Sequence, residues 1–307
     1  MPGRRMMTLA TRGSELALAQ TQEVWGALAA RFPELGLRKA VVKTSGDVLA
    51  DAALRDFGGK GAFVTEIDER VRAGEADVAV HSLKDIPTKM DQGFIVAAIL
   101  PRPAFEDALV SNHTLAALSH GARIGTSSVR RRAMLLRARP DLQVAEIRGN
   151  VPTRVSKWRR GDYDGVVLSA AGLLRLGIDA PHEVLDPEVF VPEPGQGAVA
   201  CVCRAEAPEE PYLRAIDDRT TRVEVEAERE VLHALGGGCV APVGVHATLR
   251  GDALTIRAIV LSPDGRTAVS VHRTVAAKDS RHEADMIAEE LRAMGADALL
   301  EQARRGG

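Results

Sequence analysis

Short apolar runs alternate with helix-patterned segments over the first 200 residues, and proline interrupts that alternation twice. The breaks are Pro101-Arg102-Pro103 and Pro192-Glu193-Pro194-Gly195-Gln196-Gly197. Before the first break, Thr8-Leu9-Ala10 predicts a short strand and Ser14 an N-cap. Leu18, Thr21, Val24, Trp25, Leu28 and Phe32 then recur at helical spacing. Strands follow over 38–43, 77–81 and 94–100, with a helix over 63–73. This rhythm implies a mostly parallel sheet covered on both faces. Between the breaks a second set reads the same way. It has strands near 107–111, 122–125, 142–147 and 164–168, and helices near 128–138, 151–160 and 169–176. Two breaks around one α/β set predict a hinge of two crossing strands. The chain leaves a first domain near 101 and rejoins its sheet through a strand over 198–203.

The last third changes character. A Glu- and Arg-rich helix over 220–235 precedes strands near 242–249, 253–261 and 267–275. The turn signals Arg250-Gly251-Asp252 and Pro263-Asp264-Gly265 join them, and a closing helix covers 279–295. The expected fold class is therefore α/β, two hinged α/β domains plus a small C-terminal α+β domain. The expected division is 1–101 with 197–217, then 102–196, then 218–307.

Composition narrows the function classes. Aromatics are only 3%, so the cores must be built from Ala, Val, Leu and Ile. No apolar run approaches the roughly 18 residues of a membrane span, and the basic start, Met1 to Met7, has no apolar segment behind it. Three cysteines, Cys201, Cys203 and Cys239, are an odd number, which fits a reduced, cytoplasmic location. Cys201-Val202-Cys203 lacks zinc-ligand spacing, so no metal is expected; both cysteines read as core. With a net charge of −2, the whole molecule offers no case for nucleic acid or membrane.

Local charge is different. Residues 80–87 read Val-His-Ser-Leu-Lys-Asp-Ile-Pro: an apolar strand end that stops in polar side chains before a proline. Ligands of α/β proteins bind outside the carboxyl ends of strands, so Ser82, Lys84 and Asp85 are candidate site residues. His81 reads as a strand-end histidine satisfied by backbone. Residues 121–160 carry eleven Lys or Arg against two acids, and ten of the eleven are Arg. Arg favours bidentate contacts with carboxylate or phosphate. Gly125-Thr126-Ser127-Ser128 opens a helix behind a strand, a ready anion site. Arg130 and Arg131 then fall in the first helical turn, where the dipole disfavours a cation unless an anion is bound. Arg148-Gly149-Asn150 repeats the geometry, with Pro152 in the first turn and Arg154 one turn in. Arg137, Arg139, Arg159 and Arg160 read as a solvated face. Aromatic side chains are nearly absent from the stripe, which argues against single-stranded nucleic acid and for small polyanions. Arg12, after the first strand, points to the same kind of ligand.

Seven segments in order resemble the porphobilinogen deaminase (hydroxymethylbilane synthase) family. They are Arg12 to Gln20, Gly58 to Phe63, His81 to Pro87, Gly125 to Arg131, Arg148 to Arg154, Gly195-Gln196-Gly197 and Gly237-Gly238-Cys239. The resemblance runs from about residue 8 to 245 and thins beyond 250. It implies two domains like type II periplasmic binding proteins plus a third. It also implies a dipyrromethane cofactor held by a thioether to one cysteine, here Cys239. The implied reaction joins four porphobilinogen units head to tail, releases ammonia at each step and yields 1-hydroxymethylbilane. Family members are usually monomers.

The residues suit that chemistry. Each porphobilinogen ring carries an acetate and a propionate, so a growing chain accumulates carboxylates. Arg12, Ser14, Lys60, Ser82, Lys84, Thr126, Ser127, Ser128, Arg130, Arg131, Arg148, Gly149, Asn150 and Arg154 are the expected carboxylate-binding set. Loss of ammonia leaves a pyrrolic cation, which Asp85 is expected to steady while handling protons. Gly58 to Gly61 reads as a mobile lid carrying Lys60. The glycines before Cys239 let backbone approach a bulky group. The competing expectation is a cytosolic two-domain anion-binding module without catalysis, which explains the arginines but not Cys239 or the third domain. A nucleotide enzyme is disfavoured, because neither phosphate-binding glycine motif is present.

Overall fold

The computed structural model describes residues 5–42, 61–236 and 241–305. The chain divides into two compact units: Met1–Pro103 with Gly197–Arg222, and Ala104–Gln196 with Val223–Gly307.

The first unit is built on a five-stranded sheet. Its strands are β1 (Met6–Arg12), β2 (Gly36–Val42), β3 (Val78–Ser82), β4 (Phe94–Ile99) and a late arrival, Val199–Arg204. The spatial order is β2-β1-β3, then the late strand, then β4. Helix α1 (Glu15–Arg31) starts at Ser14, whose Oγ accepts the Ala17 N–H at 3.3 Å. Helix α2 (Gly61–Arg72) leads into β3. Met7, Leu9, Val24, Leu28, Val78 and Val80 share one core with Cys201 and Cys203. Burial pushes both thiols up, Cys203 to about 11, so neither is a nucleophile at neutral pH.

The second unit holds two sheets. The larger contains β5 (Asp107–Val110), β6 (Arg123–Gly125), β7 (Gln143–Ala145), β8 (Gly165–Ser169) and β9 (His182–Val184), in the order β7-β6-β8-β5-β9. Helices α3 (Val129–Ala138), α4 (Val151–Arg159) and α5 (Ala170–Arg175) connect its strands. The late strand of the first unit is β10, and α6 (Glu210–Arg214) and α7 (Arg219–Ala234) follow it.

The expected parallel sheets form with one exception in each. β10 runs antiparallel to both β3 and β4, and β5 runs antiparallel to both β8 and β9. Each reversed strand is the first after a proline break. A strand that enters from the other unit has no βαβ crossover to force it parallel. The sequence reading missed β9 and α6, which are only three and five residues long.

The smaller sheet has the order β11-β12-β13 (Val243–Arg250, Ala253–Leu261, Ala268–Ala276), antiparallel throughout. Alternate residues Leu254, Ile256, Ala258 and Val260 pack with α7, α8 (Ser280–Ala293) and α9 (Ala296–Arg305). One closing helix was expected; two form, because Gly295 at φ +103° breaks the run between them. Gly265, at φ +74° in the β12–β13 turn, lies against the Ala133 carbonyl of α3 and leaves no room for a Cβ. The carboxylate of Glu228, fully buried on α7, accepts the backbone N–H groups of Gly195 (2.7 Å) and Ala247 (3.0 Å).

Candidate functional site

In the first unit, the carboxyl ends of β1 and β3 bring together four of the expected residues. Arg12, Ser14, Ser82 and Asp85 line one cavity of about 90 Å³. Arg12 ends β1, Ser14 caps α1, Ser82 ends β3, and Asp85 closes a single 3-10 turn over Leu83–Asp85. That turn exists because Pro87 stops any longer helix, while buried Leu83 and Ile86 pin both of its ends. Lys84 stands half-buried on the same turn.

Two residues outside the expected set support this cavity. Gln20, buried on α1, donates from Nε2 to Ser82 Oγ at 2.8 Å. His81 is structural, as expected, but its partner is a carboxylate rather than backbone. Its Nε2 lies 2.9 Å from Asp68 Oδ1 of α2. Gln20 lies within a quoted motif; nothing in the sequence marks Asp68.

In the second unit, the hydroxyls at 126–128 chiefly organise the strand-to-helix turn. Thr126 Oγ1 accepts the Ser128 N–H at 3.2 Å, Ser127 Oγ donates to the Ile147 carbonyl, and Ser128 Oγ caps α3. Asn150 caps α4 by accepting the Thr153 N–H at 3.0 Å. Gly149 has φ +108°, and a Cβ there would collide with Thr153. Arg148 is partly exposed beside Glu146 at 3.2 Å.

Arg130 and Arg131 correct the expectation that both stand open to a ligand. Both are buried on the carboxylate of Asp107, itself fully buried. Arg130 Nη1 donates to Asp107 Oδ2 (2.7 Å) and the Val191 carbonyl (2.9 Å). Arg131 donates from Nε to Asp107 Oδ1 (2.9 Å), from Nη1 to the Val167 carbonyl (3.1 Å) and from Nη2 to Gln196 Oε1 (3.1 Å). The anion required by two cations in a first helical turn is thus an internal side chain. Burial opposes the charge on Asp107, yet the two guanidiniums together outweigh it and hold the carboxyl at about 2. Arg139 also departs from a solvated role: it pairs with Asp141 and donates to the carbonyls of Leu115 and Leu118.

Arg154 behaves differently. Its Nε donates to the Gly149 carbonyl at 2.8 Å. Among the described residues no carboxylate pairs with it. Burial, then the nearby Arg131 charge, lower its guanidinium to about 10. Lys60 and Cys239 lie outside the described residues. No group of His, Cys, Asp and Glu among the described residues is arranged to hold a metal ion.

Each of the two larger sheets thus carries guanidiniums and hydroxyls at its strand ends, and the first carries the Asp85 carboxylate as well. Comparison gives the class. A family model described as porphobilinogen deaminase, dipyromethane cofactor binding domain, matches residues 7–210, and one described as its C-terminal domain matches 222–293. The probable porphobilinogen deaminase of Methanocella arvoryzae is 44% identical over 301 residues, 97% of this chain and 99% of the relative. The porphobilinogen deaminase of a Roseiflexus species is 43% identical over the same shares. Among solved structures, the periplasmic aliphatic sulphonate binding protein SsuA of Escherichia coli aligns at a TM-score of 0.38. That alignment has 13% identity and covers 75% of this chain and 70% of that one. The chain belongs to the porphobilinogen deaminase family.

Proposed function

We propose that this chain condenses four porphobilinogen units head to tail, releasing ammonia at each step, with Asp85 as its catalytic carboxylate. The observation that carries this reading is the company Asp85 keeps: it shares one small cavity with Arg12, Ser14 and Ser82. A carboxylate for a developing cation and cationic or hydroxyl donors for acidic side arms are thereby within reach of one pyrrole.

The electrostatics are large enough to matter. When the aminomethyl C–N bond of porphobilinogen breaks, the electron pair leaves on nitrogen and the ring system becomes cationic. A carboxylate about 4 Å from that charge stabilises it by roughly 4 kcal/mol at an effective dielectric of 20. This corresponds to about three orders of magnitude in rate. Asp85 also holds the proton that leaves with ammonia and takes up the one released when the new carbon–carbon bond forms. Gln20 fixes Ser82, and the turn over Leu83–Asp85 fixes the carboxylate.

The family's dipyrromethane cofactor supplies, when bound, an acceptor pyrrole for the first unit. The donor chemistry suits such a carboxylate-rich group: Arg154 is half-buried and lacks a carboxylate partner among the described residues. Arg12, Ser14, Ser82, Lys84, Arg148 and Arg154 would hold its acidic arms, with Lys60 joining them, and Cys239 would carry it through a thioether. Thr126, Ser127, Ser128, Gly149 and Asn150 shape the two helix starts that receive those arms. The chain is proposed to act as a monomer in the cytoplasm. Its proposed division is into three parts, 1–101 with 197–217, 102–196 and 218–307.

Intact-protein mass spectrometry tests the reading. An active preparation should carry an addition of two pyrrole units that is lost in Cys239→Ser. An unmodified mass in an active preparation overturns it.

A further inference from the structure

The chain passes between its two units after Pro103, after Gln196 and after Arg222. Gln196, with no exposed surface, touches the first two passages. Its Nε2 donates to the Phe105 carbonyl at 2.8 Å and to Asp107 Oδ1 at 2.9 Å, two and four residues past the first passage. Its Oε1 accepts from Arg131 Nη2 at 3.1 Å. We propose that Gln196 is a positioning residue that fastens the Arg131 guanidinium to both passage segments and so sets the cationic start of α3.

An amide meets every contact in this environment. It donates twice, to a carbonyl and a carboxylate, and accepts once from a guanidinium. A glutamate would lose both donors but keep the acceptor for Arg131, its charge offset because two guanidiniums surround Asp107. A lysine would face Arg131 with like charge. An apolar side chain would remove both donors and the acceptor that Arg131 Nη2 uses. Arg131 lies in the first turn of α3, just behind Thr126, Ser127 and Ser128, and its backbone N–H is accepted by Ser128 Oγ. A misplaced Arg131 therefore shifts the helix start proposed to receive the ligand's carboxylates and leaves the chemistry at Asp85 untouched. This inference rests on the proposed reaction for its kinetic half only.

Arginine-labelled full-length protein loaded with cofactor supplies the test, through guanidinium Nη–H exchange measured by NMR beside steady-state kinetics. In Gln196→Met, which keeps the volume, the Arg131 Nη2–H that Gln196 accepts should exchange at least tenfold faster. Arg139, held by Asp141 and backbone carbonyls, should change less than twofold. KM for porphobilinogen should rise at least fivefold with kcat within twofold. Gln196→Glu keeps the acceptor for Arg131 and should retain its protection and its KM within threefold. It also decides the matter if the Met variant fails to fold. Unchanged Arg131 exchange in Gln196→Met overturns the fastening, as does lost protection in Gln196→Glu. Faster exchange with an unchanged KM overturns its bearing on binding. If the wild-type protein does not consume porphobilinogen, the reaction assignment fails, and the exchange data still judge the fastening.

Discussion

Asp107→Asn removes the carboxylate that, among the described residues, neutralises both Arg130 and Arg131. Asp107 has no solvent exposure, and its two partners are nearly as deep. Removing one member of such a buried pair typically costs about 3–5 kcal/mol, because the remaining charge is left uncompensated. A unit of this size loses roughly 2–4 °C in Tm per kcal/mol. The variant should therefore melt roughly 10 °C below wild type at pH 7.

The pH dependence provides the sharper check. The Asp107 carboxyl is lowered from 3.8 to about 2 against the effect of burial, by Arg130 and Arg131. A group whose folded value is depressed stabilises the fold fully above its unfolded value and stops doing so as pH falls through the folded one. The shift corresponds to about 2 kcal/mol. The stability gap between wild type and Asp107→Asn, from urea melts, should be level between pH 5 and 7. It should then narrow by about 2 kcal/mol towards pH 2, where wild type itself carries a neutral side chain. A gap below 1 kcal/mol at pH 7, or one that does not narrow in acid, refutes a charged Asp107 as the anchor of both arginines.

Asp85→Asn should fold normally, load cofactor and lose at least about 10²-fold in kcat; near-normal turnover removes Asp85 from the mechanism. Arg154→Leu should reduce cofactor loading or raise KM while leaving Tm unchanged or slightly higher, since a desolvated cation without a carboxylate costs stability in the empty protein. Arg131→Leu should lower Tm as well as loading, because it also strips Asp107 of a partner. Gly265→Ala should cost more than about 2 kcal/mol, seen as a clear drop in Tm, since the turn needs positive φ and the Cβ would meet the Ala133 carbonyl.

The alternation of apolar and helical segments was legible because the central strands of the two larger sheets are buried on both faces, so they are runs of Val, Ala, Leu and Ile with little polar interruption. Proline marked two of the three passages between the units, and the reversed strands β5 and β10 follow from them. Short elements were not legible: β9 and α6 owe their form to neighbours rather than to a repeat of their own. In the site, Asp85, Ser82, Ser14 and Arg12 were readable because each terminates or caps an element whose start or stop the sequence announces. Gln20 and Asp68 were less so, since a single polar residue on a helix face does not reveal which strand end it will meet.

Arg130 and Arg131 mark the limit of charge counting. A stretch with nine excess positive charges looks like an open anion site, and two cations in a first helical turn sharpen that impression. The tally covered 121–160, whereas the acid that answers them lies at 107, on the strand that crosses from the other unit. Three-dimensional pairing thus divides an apparently uniform stripe. Arg130, Arg131 and Arg139 are tied to partners within the fold, and Arg154 alone in that list has no carboxylate among the described residues. A site built this way separates two demands that conflict on one side chain. The paired arginines hold the strand end and helix start in place without a ligand, and the unpaired one remains available for a carboxylate that arrives from outside. The contrast between Arg131→Leu, which should damage folding and loading together, and Arg154→Leu, which should damage loading alone, measures that separation directly.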